Sequence, residues 1–467
     1  MILFVFTIVF FTGYFTDNQT TMGIALLLLF CYVVFFAIRK IDKHITLLVF
    51  AIAFFTFLMG RMILPIFYDT SNLIYDIGGA NFSNETISHM DLSLFLALLF
   101  VYIGYKYVYR EKYYEKEPFN RDELYVQNVR NLSRKLMYMT FPVALLLTLE
   151  KVYLVLTMGY VAMYIDFQSS FPYFVTLIGG WFYHAFFIFL ATLPSKKEAK
   201  IPLSFYVTIS ILSLATGQRG SFVLGLLFVV MYLFLRNSLQ TGDGSWIGRR
   251  GIIAILVSLP LMVSFLFLMV YIRSDRDRSM SENLLISFFY QQGVSAEVIG
   301  YTYDYENRFP EGKVYLLGDV TDYFRHNIFA RLLFGAKSAE PQSVEHALED
   351  NSLDAALTYF VKPDLYLSGG GLGGCYVAEA WKDLGYFGIC LVSFLYGLLL
   401  AKIPLWCRKN FWIGSVGLVM FNQIIFAPRA HAIKPIYVFF SLNVIIVYAY
   451  LYIASKRRGN RVQVVNS

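Results

Sequence analysis

The feature that most constrains this chain is its supply of long apolar runs. Most of them extend over about 16–22 residues, the length that an α-helix needs to cross the hydrocarbon core of a bilayer. Of all residues, 57% are hydrophobic and only 15% are charged, and the mean hydropathy is +0.56. A soluble domain cannot bury this much apolar surface. The sequence therefore predicts an all-α polytopic membrane protein.

The apolar runs predict about twelve transmembrane helices. The first run lacks a basic leader and a small-x-small cleavage site, and the second follows almost at once, so we expect the first to be retained as a span. The predicted spans lie near residues 2–16, 21–38, 45–60, 92–109, 136–157, 173–193, 201–216, 220–236, 252–272, 384–404, 411–427 and 435–455.

Lys and Arg are concentrated in every second connection, which predicts the orientation. The short connections between them contain only Arg61, Arg219, Arg429 and Lys434. Basic connections remain in the cytoplasm, so we expect both termini there. The basic connections are 39–43, 106–135, 195–200, 236–250, 402–409 and 456–461.

Composition also argues against several functional classes. The net charge of +7 is spread between apolar runs, so we expect no nucleic-acid binding. The four cysteines have no metal-ligand spacing. An Asp275-x-Asp277 pair lies between arginines, which neutralise it, so we predict no metal site.

The chain divides into three predicted parts. Residues 1–272 contain the first nine spans, residues 273–367 form one large outer loop, and residues 368–467 contain a glycine-rich re-entrant segment and the last three spans. A polar loop of this length on one face usually carries function. We expect it to fold as a helical cap on the membrane surface. Its predicted helical stretches are 283–301, 313–335 and 343–360.

Arginines kept on the outer side are the first candidate binding residues. The sequence TGQRG joins two spans in a tight turn, with Arg219 at its tip. A guanidinium donates two hydrogen bonds to phosphate oxygens and stays charged when partly desolvated. Several together predict a diphosphate site, whereas anchoring to lipid headgroups is the alternative for each one alone. The candidate diphosphate ligands are Arg61, Arg219, Arg273, Arg276 and Arg429.

Five glycines lie within residues 369–374, directly before a charged stretch and the tenth span. Non-helical backbone at membrane depth is tolerated where it lines a cavity, and glycine lets the chain approach a ligand closely. We expect residues 375–387 to form a short helix along that cavity, with Glu379 and Asp383 on one face. A half-buried carboxylate suits a general base, and pairing of Glu379 with Lys382 or an arginine is the alternative.

Several short motifs resemble the bacterial O-antigen polysaccharide polymerases of the Wzy type. They are GR (Gly60-Arg61), TGQRG (216–220), QQG (291–293) and CYVAEAWKDLGYFG (375–388). Members of that family are inner-membrane glycosyltransferases related in architecture to the O-antigen ligases. They join oligosaccharide repeat units carried on undecaprenyl diphosphate at the periplasmic face, without a metal or a nucleotide sugar. By position, the resemblance indicates Arg61, Arg219, Gln292, Gly293, Glu379 and Gly385.

The resemblance implies attack by a sugar hydroxyl on an anomeric carbon bound to lipid diphosphate. The leaving diphosphate then needs nearby cations, and the hydroxyl must lose its proton to Glu379 or His431. Tyr376 and Trp381 are candidate platforms for sugar rings, with packing as the alternative. No cofactor is implied. The remaining predicted substrate contacts are Gln292, Gly293, Gly373 and Gly374.

Two other functions stay open at this point. An O-antigen ligase would use the same donor with lipid A core as acceptor, and its expected base is a histidine of the large loop, where His326 and His346 lie without a recognisable motif. A flippase for lipid-linked sugars would also collect arginines, but such proteins typically have paired repeats and short loops. The expected partners are the undecaprenyl-diphosphate-linked oligosaccharide, membrane lipid and, by resemblance, a chain-length regulator.

Overall fold

The computed structural model describes residues 2–68, 82–114, 116–159, 169–216, 219–239, 244–249, 251–253, 255, 284–326 and 339–465. Within these ranges the ordered elements are helices. Nine of the described helices are long and apolar enough to cross a membrane, or ten if one bent pair is counted as a span. The predicted all-α polytopic fold is confirmed.

The helices are numbered here in chain order. They are α1 (Ile2–Phe15), α2 (Gln19–Arg39), α3 (Ile41–Phe54), α4 (Gly60–Phe67), α5 (Asn84–Val108), α6 (Leu124–Met158), α7 (Tyr173–Ala191), α8 (Lys196–Ala215), α9 (Arg219–Leu239), α10 (Leu284–Gln292), α11 (Ser295–Asp304), α12 (Gly318–His326), α13 (Val344–Glu349), α14 (Leu353–Val361), α15 (Pro363–Leu367), α16 (Tyr376–Lys409), α17 (Phe411–Ile424), α18 (Lys434–Tyr437) and α19 (Leu442–Val465).

The apolar helices occur where the spans are predicted, with three differences. The first helix has 14 residues, about 21 Å at 1.5 Å per residue, which is short for a complete span. Most of the ninth predicted span, beyond residue 255, lies outside the described residues. The last predicted span is not straight, because Lys434–Phe440 and Leu442–Arg457 are bent by 64°. The break lies at Ser441, whose backbone is extended.

A single π-helical turn, Phe55–Met59, interrupts the third span between α3 and α4. Such turns widen a helix by one residue and occur frequently at functional sites. Gly60 and Arg61 follow it directly. The turn thereby places Arg61 on the buried side of the helix end.

Glycines bring α5 and α16 into backbone contact. A Cβ added to Gly104 would lie 2.2 Å from the carbonyl oxygen of Phe394, and one added to Gly397 would lie 2.1 Å from that of Val101. Small residues permit this close approach between membrane helices. The contact fixes the position of α16, which carries Glu379.

The α16 helix is broken near its outer end at Gly385, whose φ of 61° and ψ of −153° are not helical. Only glycine adopts such a conformation readily. The residues before the break form the short helix that the sequence predicts. A Cβ on Gly388 would lie 2.1 Å from the carbonyl oxygen of Ala380, so the two parts of α16 pack tightly at the bend.

The predicted stretches of the outer loop are helical in part. The first is divided into α10 and α11, and the third contains α13 and α14. In the second, α12 is helical, 313–317 are not helical, and 327–335 lie outside the described residues. Every residue from Ser295 to Thr302 in α11 is buried, and α11 packs against α5 and α16. Part of this predicted cap is therefore inserted among the membrane helices, because its small and apolar residues fit between their ends.

On the side opposite the outer loop, buried arginines donate hydrogen bonds to backbone carbonyls at the ends of neighbouring helices. Arg236 donates to the carbonyl oxygen of Pro194 at 2.9 Å, and Arg408 donates to that of Ser238 at 2.6 Å. Cations near helix C-termini complement the exposed carbonyls there. These contacts hold the inner end of α16.

Candidate active site

Three carboxylates surround the imidazole of His431. Its Nδ1 lies 3.4 Å from Glu379 Oε1 and 3.4 Å from Asp319 Oδ1, and its Nε2 lies 3.5 Å from Asp354 Oδ2. We call these four residues the carboxylate–histidine cluster. In the described part of the chain, no set of three or more His, Cys, Asp or Glu side chains is arranged to hold a metal ion. The structure thus joins Glu379 and His431, which the sequence indicates separately.

His431 lies in an irregular segment, residues 427–433, that follows α17. The backbone N–H of Ala432 donates to Glu379 Oε2 at 2.7 Å, and the hydroxyl of Tyr396 donates to the Ala432 carbonyl at 2.6 Å. Glu379 and Tyr396 both belong to α16. Their bonds to the N–H and the carbonyl oxygen of Ala432 hold the 427–433 segment against this helix.

The glycine-rich stretch lies against the imidazole. A Cβ added to Gly374 would be 3.3 Å from His431 Cδ2, tighter than an ordinary contact. Further back, the N–H of Leu372 donates to Thr358 Oγ1 at 3.1 Å, which joins the stretch to α14. The glycine backbone lies close to the imidazole here, and the expected approach of this stretch to a ligand stays a prediction.

Asp319 and Asp354 lie in the first turns of α12 and α14. Hydrogen bonds between Asp322 in α12 and Asn351, just before α14, hold the two helices together. The Asp322 carboxylate accepts hydrogen bonds from the Asn351 backbone at 2.9 Å and from its side-chain amide at 2.7 Å. A Cβ on Gly318 would lie 2.0 Å from the Asn351 carbonyl oxygen. The outer loop is thus folded so that both carboxylates reach His431.

The cluster has a buried side and an open side. The side chain of Glu379 is 1% exposed, whereas those of His431, Asp319 and Asp354 are 20%, 25% and 32% exposed. A ligand therefore meets Asp319, Asp354 and His431 first. Glu379 lies behind the imidazole, with its Oε1 3.4 Å from Nδ1.

The charges of the cluster are strongly coupled. Burial alone would lower the pKa of His431, but Asp354, Glu379 and Asp319 outweigh it and raise the pKa to about 10. Burial raises the pKa of Asp319 above its ordinary value. Burial would do the same for Asp354, but the adjacent His431 holds the pKa of Asp354 well below its usual range. At neutral pH the imidazole is a cation, and Asp319 is a better base than Asp354.

Lys382 does not pair with Glu379. Its ammonium donates to the carbonyl oxygen of Glu306 at 3.3 Å. Asp383, one helical turn from Glu379, accepts hydrogen bonds from the backbone N–H groups of Tyr315 and Leu316 at 3.1 and 2.8 Å. The two acids of this short helix therefore have different partners, since Glu379 accepts from the Ala432 backbone next to His431 and Asp383 accepts from the backbone of the outer loop.

Arg61 is buried, with 6% of its surface exposed. Its guanidinium donates to the Glu297 carboxylate and to the Tyr290 carbonyl oxygen, the latter at 3.1 Å, and lies 4.1 Å above the Tyr290 ring. A Cβ on Gly293 would be 2.5 Å from Arg61 Cβ. The GR and QQG motifs thus form one packed unit. Glu297 neutralises the charge of Arg61, and binding of diphosphate by Arg61 stays a prediction.

The other candidate arginines are described only in part. Arg219 begins α9, and its side chain lies outside the described residues. A Cβ on the adjacent Gly220 would be 3.6 Å from the Phe426 ring, which directly precedes the 427–433 segment. Arg429 is half-buried in that segment, two residues before His431. Arg273 and Arg276 lie outside the described residues.

The predicted aromatic platforms are packed in this conformation. Tyr376 is fully buried, and its ring lies 5.0 Å from that of Tyr396. Trp381 is 8% exposed and packs edge-on against His89 at 4.7 Å. In this conformation Tyr376 and Trp381 therefore serve in packing, which is the alternative to a sugar platform. Gly373 has a φ of +85° with open space around it, and Gln292 is half-buried at the end of α10.

Sequence reasoning missed Asp319 and Asp354. Both begin short helices of the outer loop, in GDVTDY and NSLDAAL. Acidic residues are common in the first turn of any helix, because they complement its dipole. The sequence signal was therefore ordinary, and only the tertiary contact with His431 distinguishes these two acids.

A cleft of about 1030 Å³ borders the cluster. Residues 306–317 of the outer loop, the part of α16 beyond Gly385 and residues 432–436 enclose it. Its walls are mainly apolar, and Ala432 and Ile433 line it immediately after His431. The cleft and the cluster thus share the 427–433 segment as a wall.

A family model described as "O-antigen polysaccharide polymerase Wzy" matches residues 1–459, nearly the whole chain. No curated protein and no solved structure matches the chain.

Proposed function

This chain belongs to the Wzy family of O-antigen polysaccharide polymerases, and we propose that it joins repeat units carried on undecaprenyl diphosphate at the periplasmic face of the inner membrane. Family membership and the apolar helices make it a multi-pass membrane protein of polysaccharide biosynthesis, with a polymerising glycosyltransferase activity. In our proposal the carboxylate–histidine cluster is its catalytic centre.

The observation that carries the proposal is the contact of His431 with Asp319, Asp354 and Glu379. The cluster combines an open side with a buried carboxylate that fixes the ring. Such a rear carboxylate behind an imidazole is a recurrent way to position a catalytic group. It lies beside the large loop, on the side expected to face the periplasm.

The proposed reaction transfers the growing chain to the incoming unit. The hydroxyl oxygen of the incoming sugar forms a bond to the anomeric carbon of the growing chain. The bond from that carbon to the diphosphate breaks, and the lipid diphosphate leaves with the electron pair. Asp319 accepts the hydroxyl proton, because it is open to the site and burial raises its pKa.

His431 has an electrostatic role in this scheme. With a pKa raised to about 10, it is protonated at neutral pH and cannot accept the proton first. As an imidazolium it offsets the negative charge of Asp319 and Asp354 beside it. Glu379 then orients His431 and takes no proton from the substrate.

Arginines stabilise the leaving diphosphate in the proposal. Arg219 and Arg429 are supported by the contact between Gly220 and Phe426 and by the proximity of Arg429 to His431 in the chain. Arg273 and Arg276 are included from the sequence, and Arg61 contributes least because Glu297 neutralises its charge.

Arg219→Lys keeps a positive charge but loses the two-donor fork of the guanidinium, so we expect loss of long polysaccharide chains. An unchanged ladder would instead indicate headgroup anchoring.

The function is tested by deleting the gene and separating lipopolysaccharide on a gel. Loss of a polymerase leaves lipid A core carrying one repeat unit, because single units are still transferred to the core. Bare core would indicate the ligase or the flippase alternative. A ladder of normal length would exclude all three functions.

A further inference from the structure

We propose that the cleft beside α16 binds the polyprenyl chain of one lipid-linked substrate, with the diphosphate end towards the 427–433 segment. The inference rests on the proposed function. The polyprenyl chain takes no part in bond formation, and the proposal gives it a binding surface.

One wall of the cleft matches an extended hydrocarbon chain. Leu391, Leu395 and Leu399 line it, and their four-residue spacing places them in a row on one side of α16. From Tyr386, the first residue after the break at Gly385, to Lys402 the helix measures about 24 Å, which is most of the thickness of the hydrocarbon core of a bilayer. A polyprenyl chain lying along the leucine row is in contact with it over about 12 Å.

The cleft is covered at its outer end and open at its side. Residues 309–317 lie over the outer end, and Asp383 holds them through the N–H groups of Tyr315 and Leu316. Leu391 and Leu395 are 38% and 46% exposed along the side. A lipid chain therefore enters laterally, while the covering loop separates its path from water.

Polar groups are concentrated at the covered end. Lys313 and Lys382 lie there with Glu306, Glu311 and Asp383, and the apolar row extends away from them as far as Lys402. Ammonium groups bind phosphate oxygens, and carboxylates accept hydrogen bonds from sugar hydroxyls. This polarity fits an amphiphile whose head contains both phosphate and sugar.

The cleft is continuous with the carboxylate–histidine cluster. Tyr396 lines the cleft and donates to the carbonyl oxygen of Ala432, whose N–H holds Glu379. A chain seated in the cleft therefore brings its head group to the wall that carries His431. The head group of a phospholipid does not react at this wall, whereas that of the lipid-linked substrate does. We therefore assign the cleft to the lipid-linked substrate.

The test compares two substrates with identical sugars, one on undecaprenyl diphosphate and one on a diphosphate with only two isoprene units. Leu395→Trp fills the cleft, and Ile445→Trp is the matched control on α19, where the native side chain is 53% exposed. We expect Leu395→Trp to raise KM about tenfold for the long-chain substrate and to change KM much less for the short-chain substrate. The control should match the wild type on both.

An equal effect of Leu395→Trp on both substrates, or no effect on either, would overturn the cleft assignment while the wild type still polymerises. A wild type that extends neither substrate would instead contradict the proposed function.

A photo-crosslinking experiment does not depend on the variant folding. A benzophenone at the tail of the undecaprenyl substrate should label wild-type peptides within residues 384–402. Labelling confined to other helices would contradict the proposal. So would labelling of the same peptides by a benzophenone-tailed phospholipid that the lipid-linked substrate fails to displace.

Discussion

Gly374 allows the chain to lie directly against the proposed catalytic imidazole. Gly374→Ala would place a methyl group 3.3 Å from His431 Cδ2 and 3.5 Å from the carbonyl carbon of Ala430. The ring must shift by a few tenths of an ångström, and we expect polymerisation to slow about tenfold because a small misplacement is costly at a reacting centre. The rate is measured with purified enzyme and lipid-linked repeat units.

Gly371→Ala is the matched control, because its added Cβ would meet nothing closer than 3.9 Å. It should retain a nearly normal rate. If both variants lost the same fraction of the polymerisation rate, the glycines would be required for backbone flexibility in general and not for the approach to His431.

The coupling of His431 to three carboxylates predicts a dependence of stability on pH. Because the folded pKa of His431 is raised to about 10 from its ordinary value of 6.5, its stabilisation is complete below pH 6.5 and is lost as the pH rises through 10. Asp354, whose pKa is lowered, adds stabilisation that is lost only in acid. We expect Tm to fall by about 2–4 °C between pH 8 and 10.

His431→Gln removes the titrating group and should abolish most of that alkaline decrease, measured by thermal unfolding of the purified protein. An identical decrease in this variant would assign the effect to other residues and would contradict the ion-pair geometry.

Glu379 and His431 could be singled out from the sequence because ionisable side chains are unusual near apolar runs. Asp319 and Asp354 could not, since acids are ordinary in a polar loop and their roles depend on a contact between distant segments. For Arg61 the sequence identified an outer cation, but Glu297, which neutralises it, lies in a helix that only the fold brings near.

The bend of α16 at Gly385 determines where its first helical part points. Gly385→Ala forces a residue with a side chain into a φ of 61° and a ψ of −153°, at a cost of about 1–3 kcal/mol. We expect lower thermal stability together with a large loss of activity, because relief of the strain moves Glu379 away from His431. Both are measured on the purified protein.

Gly244→Ala serves as the control. Gly244 also has a positive φ, +69°, in open space, and it lies in a different connection, after α9. A similar loss of stability with normal activity should result. If both variants kept full activity, the bend would have no part in positioning Glu379.

Apolar length and turn residues were sufficient to place most helices, because a bilayer requires backbone hydrogen bonds to be made within each segment. They were not sufficient for helix shape. The burial of α11 depends on its packing against α5 and α16, which single-sequence patterns do not contain.

Across the whole molecule, three distant parts of the chain are brought together at one place. The glycine-rich start of α16, the 427–433 segment and the first turns of α12 and α14 meet around His431. The sequence predicted the first two as candidate regions and placed the outer loop on the same side. How closely they meet depends on the close packing of α5 and α16, which two glycines allow.

The most direct test of the central claim, that the carboxylate–histidine cluster is the polymerisation centre, is complementation of the deletion strain with His431→Gln. His346→Gln is the control, because His346 lies in the outer loop that carries Asp319 and Asp354 but shares a hydrogen bond with the Tyr366 hydroxyl outside the cluster. At equal protein levels by immunoblot, we predict core plus one repeat unit for His431→Gln and a full ladder for His346→Gln. A full ladder from His431→Gln would contradict the account.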